Sequence, residues 1–118
     1  MRDRIRFRMN DIVDAIDQID LLLRGKTFED LILERPLKAA FERFLEILSE
    51  ASRHIPETLQ SGAPEIPWRS VSDIGNHLRH AYHRVDSEIL WRIHADGQLA
   101  ALRDVIIGFL GKHDPPRG

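Results

Sequence analysis

Apolar residues recur along this chain at intervals of three and four, the spacing of one face of an α-helix. Met9, Ile12, Ile16, Ile19 and Leu23 predict a long first helix with a narrow apolar seam, stopped by Gly25. Residues 26–35 read as a connector with a short helical piece over 28–33. Pro36 suits the first turn of the next helix, where its missing N–H breaks no hydrogen bond. Leu37, Phe41, Phe44, Leu48 and Ile55 carry a second long helix, widened by Leu45 and Ala51 and distorted or ended by Pro56. The run LQSGAPEIP, residues 59–67, predicts a loop through Gly62, Pro64 and Pro67, with Trp68 after it as a packing anchor. Over residues 66–86, Val71, Ile74, Leu78, Ala81 and Val85 then fall on one side of a single predicted helix. Asp86 is the expected N-cap of a short helix carrying Ile89, Leu90, Trp91 and Ile93 and broken by Asp96-Gly97. Leu99, Leu102, Ile106 and Phe109 or Leu110, with Val105 alongside, mark the last helix. No strand pattern, internal repeat or glycine-rich phosphate loop occurs. The expected fold is all-α, an antiparallel four-helix bundle with an additional short helix, in one domain over 1–112 followed by a disordered tail at 113–118.

Composition narrows this frame without changing it. A length of 118 residues fits one domain with a modest core. Seventeen basic against nineteen acidic residues give a net charge of −2, so any contact with nucleic acid must come from a local basic patch rather than a global field. Cysteine is absent, which excludes disulfides and cysteine-based zinc sites and agrees with a reducing cytoplasm. Arginines at 2, 4, 6 and 8 raise the question of a targeting or membrane-surface segment. Asp3, Asp11, Asp14, Asp17 and Asp20 make the segment too acidic for a transit peptide, and no apolar run approaches the ~20 residues that span a bilayer. Those arginines read as solvated surface, with Asp3 as an N-cap offsetting them, or else as contacts for an anionic partner.

Candidate chemistry concentrates in residues 66–86, which hold three of the six histidines, His77, His80 and His83. On the predicted helix Asp73, Asn76, His77, His80 and Arg84 lie opposite the apolar stripe. Each alone reads as ordinary surface. Together they place groups that titrate near neutral pH within reach of one another, which suits proton transfer or metal binding. Asp73, His77 and His80 form a two-histidine, one-carboxylate set, but bundle metal sites draw on facing helices and no second helix offers an inward His or Glu pair. The metal reading is therefore the minor one, and no metal or other cofactor is expected.

The segment Ile66-Pro67-Trp68, a helix with Asn76, then His80-Ala81-Tyr82, Val85-Asp86 and Leu90-Trp91, with Glu50-Ala51 and Ile55-Pro56 upstream, resembles the HepT toxins of the HEPN superfamily over nearly the whole chain. The resemblance implies a HEPN-like bundle and a metal-independent endoribonuclease acting on RNA in the cytoplasm, as a homodimer whose two motif helices line a shared cleft. It also implies a toxin–antitoxin pair, in which a nucleotidyltransferase antitoxin can transfer AMP to the motif tyrosine, here Tyr82. The family's motif is an Arg, usually followed directly by Asn, and then His-x-Tyr; Asn76, His80 and Tyr82 match, and Gly75 stands at the Arg position. His80 would act as acid or base, and Asn76 would orient the imidazole or hold a phosphate oxygen. Arg79 and Arg84 are the candidates to supply the phosphate-binding cation that Gly75 lacks. The alternative is a catalytically degenerate, dimeric interaction protein that binds a nucleotidyltransferase.

Overall fold

The first seam closes as its spacing requires. In the computed structural model, which describes residues 2–80 and 83–113, α1 spans Arg2–Leu23 and buries Met9, Ile12, Ile16, Ile19 and Leu23 along one side. Gly25 then turns the chain at a φ of +75°, a left-handed conformation that glycine adopts without a Cβ penalty. Asp3 already lies inside α1, so it is not the N-cap.

The connector contains α2 (Phe28–Leu33), started by a capping box. The Asp30 N–H donates to Thr27 Oγ1 at 3.1 Å, and the Thr27 N–H donates to Asp30 Oδ2 at 2.9 Å. These bonds, the backbone one first, hold the Asp30 carboxyl below the usual carboxylate range. Helix α3 (Arg35–Ser52) has Pro36 in its first turn and buries Phe41, Leu45, Leu48 and Ala51. Pro56 does not simply open a loop. Its carbonyl accepts from the N–H groups of Leu59 and Gln60 and starts α4 (Glu57–Ser61), so the turn-rich segment shrinks to residues 62–67. A proline at a helix start sacrifices no intrahelical bond, which is why the helical turn survives there.

The stretch expected to form one helix is divided into three. Helix α5 (Trp68–Ser72) is followed directly by α6 (Ile74–Arg79), and α7 (Arg84–Ala95) begins only after a break. Helix α7 starts two residues before Asp86, with His83 as its N-cap, so Asp86 sits in the first turn. Gly97, at a φ of +83°, separates α7 from α8 (Gln98–His113), which buries Leu99, Leu102, Ile106 and Phe109. His113 belongs to α8 rather than to a disordered tail, and residues 114–118 lie outside the described ones.

The molecule is an all-α bundle measuring 50 × 25 × 22 Å, and no strand occurs among the described residues. Its four longer helices are α1, α3, α7 and α8. Helix α1 packs mainly on α3 and α8, α7 packs on α8, and the short helices α5 and α6 lie against α3. Arg103 of α8 reaches Asp17 of α1 at 2.6 Å, an exposed pair of the kind worth little to stability. Burial holds the His94 imidazole below its ordinary range, against an opposing effect of Asp20. No helix among the described residues is long and apolar enough to cross a membrane.

Candidate functional site

A six-residue helix cannot hold itself together in water, so α6 depends on what it packs against. Ile74, fully buried, drives its first turn into the core beside Val71. From α3, the Ser49 hydroxyl lies 2.9 Å from the Val71 carbonyl and 3.2 Å from that of Ser72, so it caps the end of α5. Ser52 in turn donates to the Ser49 carbonyl at 2.7 Å. Both serines are buried, and their bonds satisfy hydroxyls that burial would otherwise penalise. Trp68 stacks on Phe109 with ring centroids 6.3 Å apart and donates its indole N–H to the Ala63 carbonyl at 3.0 Å, the anchoring role expected of it.

The break after α6 changes the relation of the candidate residues. His80 closes α6 with non-helical φ and ψ of −115° and 18°, and the His83 backbone is extended. His80 and Arg84 therefore do not share a helical face. Val85, expected on the buried stripe, is 67% exposed. Ala81 and Tyr82 lie outside the described residues.

Among the residues singled out from sequence, His77 is committed to structure. Its Nδ1 lies 3.1 Å from Asp86 Oδ1 and ties α6 to the first turn of α7. Asp73 and His77 line a cleft of about 370 Å³ with Arg92 and Asp96, but among the described residues no group of three or more His, Asp or Glu side chains gathers as a metal site. Arg84 is drawn away to α2. It pairs with Glu29, lies 3.6 Å from Glu88, and sits 5.1 Å from the centre of the Phe28 ring, which meets Trp91 edge-on. These contacts turn the exposed Arg84 side chain toward α2. Arg79 donates to the Asn76 side-chain oxygen, so these two candidates are joined on α6. His80 and His83 are both exposed.

One residue that sequence reasoning passed over stands beside them. Arg53, at the C-terminal end of α3, donates from Nη2 to the Ser72 carbonyl at 2.9 Å, and the same nitrogen lies 4.0 Å from where a Cβ on Gly75 would be. Arg53, Arg79 and Gly75 line a concavity of about 220 Å³ between α3 and α6, together with Ser49, Glu46 and Glu50. Glu46 pairs with Arg43 and Glu50 lies 3.4 Å from His54. Both concavity guanidiniums instead hydrogen-bond to neutral oxygens, the Ser72 carbonyl and the Asn76 amide. Gly75 lies 22 positions after Arg53, and no local pattern announces their meeting.

The fold and this junction define a small helical-bundle protein whose candidate chemistry rests on histidine and arginine. The sequence profile of the family described as ribonuclease HepT-like matches residues 12–107. A protein of Thermococcus cleftensis named a probable ribonuclease HepT is 39% identical over 84 residues, covering 71% of this chain and 76% of its own length. Two proteins of Methanocaldococcus jannaschii named as candidate RNases are 31% and 27% identical; the first match covers 71% of each chain, and the second 75% of this chain and 74% of the relative. No solved structure matches the chain. The chain belongs to the HepT-like ribonuclease family of the HEPN superfamily.

Proposed function

We propose that this chain is a metal-independent RNA endonuclease and the toxin of a toxin–antitoxin pair in the cytoplasm. The observation that supports it is the end of α6. In a chain of a ribonuclease family, the exposed His80 directly follows Arg79, which together with Arg53 lines a concavity between α3 and α6. His80 takes the proton of a ribose 2′-hydroxyl, and the oxygen attacks the adjacent phosphorus. The P–O5′ bond breaks, O5′ takes up a proton, and the strand ends as a 2′,3′-cyclic phosphate and a 5′-hydroxyl. No oxidant, metal or attacking water enters this balance. A guanidinium at the phosphate offsets the charge that gathers on its oxygens as the bond to phosphorus forms.

The active unit in this reading is a homodimer. Phe7, Leu21, Leu33 and Val85 are large apolar side chains left exposed on the single chain, and a twofold interface is the usual way a small bundle covers such surface. A particle of about 27 kDa, twice 13.7 kDa, is the expected result of light scattering at micromolar concentration. A monomer would remove the shared-cleft arrangement. The proposed antitoxin is a nucleotidyltransferase that adds AMP to Tyr82. An added phosphate two residues from His80 would repel the RNA backbone.

The direct test is cleavage of single-stranded RNA by the purified protein with excess EDTA. Cleavage that continues in EDTA and leaves 2′,3′-cyclic phosphate ends is the expected outcome. Loss on chelation with recovery on adding a divalent ion would transfer the reading to a metal site around Asp73 and His77. Absence of cleavage under both conditions would leave the dimeric interaction protein.

A further inference from the structure

Gly75 lies inside α6, where glycine is about 1 kcal/mol less favourable than alanine. Its φ is not in the left-handed region, so no turn demands glycine there. What occupies the space over it is the Arg53 guanidinium, delivered from another helix and fixed by the Ser72 carbonyl. A Cβ at 75 would meet Arg53 Nη2 at 4.0 Å, an ordinary contact. The Arg53 guanidinium therefore lies next to position 75, reaching it from the end of α3.

We propose that Arg53 and Arg79 form a two-guanidinium cradle for an RNA phosphate above Gly75, with Arg53 supplying the principal cation. This rests on the ribonuclease reading for its catalytic consequence but not for the binding itself. The cradle has the chemistry the role requires. Guanidinium presents paired donors that match phosphate oxygens, and both side chains are oriented by neutral acceptors instead of being neutralised by carboxylates. Glu46 and Glu50 line the same concavity; Glu46 pairs with Arg43, and Glu50 Oε1 lies 3.4 Å from His54 Nε2. Arg53 also sits at the C-terminus of an 18-residue helix, where a cation is favoured by the helix dipole even before RNA arrives. Arg79 immediately precedes His80, the proposed acid–base group, in the chain.

A purely structural Arg53, capping α5 and α3, must be told apart from an RNA-binding one. Four proteins do this: wild type, Arg53→Ala, Gly75→Arg, and the double variant Arg53→Ala/Gly75→Arg. Two measurements are made on each. One is the cleavage rate of a short single-stranded RNA, and the other is affinity for its fully 2′-O-methylated, uncleavable counterpart at several salt concentrations. Arg53→Ala is expected to slow cleavage about a hundredfold. It should also reduce the magnitude of the salt slope by about 0.7, the value for one phosphate contact on a single strand. Gly75→Arg alone is the reference for the double variant. Added to Arg53→Ala it should recover at least about tenfold in rate and restore the slope, although neither the Ser72 cap nor the α3 terminus is rebuilt. A slope unchanged in Arg53→Ala, or a double variant no better than Arg53→Ala, overturns the cradle. If wild type cleaves nothing, the ribonuclease reading fails by itself, and the slopes on uncleavable RNA still decide whether Arg53 holds phosphate.

Discussion

Replacing His80 by alanine should lower RNA cleavage by at least about a hundredfold while leaving the fold intact, because a positioned acid or base contributes typically 10²–10⁴-fold to a proton transfer. Selecting His80 from the three clustered histidines follows from their surroundings. His77 is bound to Asp86 and holds α6 against α7, so His77→Ala should disturb structure as well as rate. His83 starts α7 on the far side of the break, and His83→Ala is the matched control for loss of an exposed imidazole. His80 is exposed at the very end of α6, so its truncation opens no cavity in the core. The measurement is a single-turnover cleavage rate in EDTA for the three variants, with thermal melts alongside. A His80→Ala rate within about threefold of wild type, with RNA still bound, would end the assignment of His80 as the acid–base group.

Much of the bundle was legible because its long helices bury continuous seams. The positions Met9, Ile12, Ile16, Ile19 and Leu23 in α1, and Leu99, Leu102, Ile106 and Phe109 in α8, are all buried where their spacing put them. Gly25 and Gly97, read as helix breakers, stand at helix ends in left-handed conformations. The misreading fell on the stretch that carries the candidate site. Ile74 and Leu78 continue in phase to Ala81 and Val85, so a periodicity test sees one helix. The break at His80 carries no glycine or proline to signal it, and α7 is pulled into its own position by partners remote in sequence. Arg84 reaches 55 residues back to Glu29, and Asp86 reaches nine back to His77. Such pairings depend on how helices cross, which a local pattern does not encode. Arg53 escaped notice for the same reason. It reads as a polar residue ending a helix, and only the approach of α6 to α3 brings it over Gly75.

The junction that gathers the candidate site is therefore held by tertiary contacts rather than by helix propensity, and this predicts where the protein is most sensitive. Ile74→Ala should cost about 2–5 kcal/mol, the range for truncating a buried isoleucine, a large share of the ~5–15 kcal/mol that stabilises a domain. For a chain of this size that corresponds to a fall in Tm of roughly 10–20 °C. Ile74→Val, which removes one methylene, should cost only about 0.5–1.5 kcal/mol. The functional effect should exceed the global one. Ile74 is the only fully buried side chain of α6, and a six-residue helix without its anchor has too few bonds to stay docked. At temperatures where most Ile74→Ala molecules remain folded, α6 should open locally, and hydrogen exchange should speed up at Leu78 and Arg79 before it does at Leu102 and Ile106 of α8. Cleavage should decline with that local opening, ahead of the global melt. The serine clamp offers an independent check, since Ser49→Ala leaves the Val71 and Ser72 carbonyls without its hydroxyl and should loosen the same helix by about 1–3 kcal/mol. If Ile74→Ala melts within a few degrees of wild type, or if its exchange rises uniformly across α6 and α8, then α6 is not held through Ile74 and the dependence of the site on this core contact is wrong.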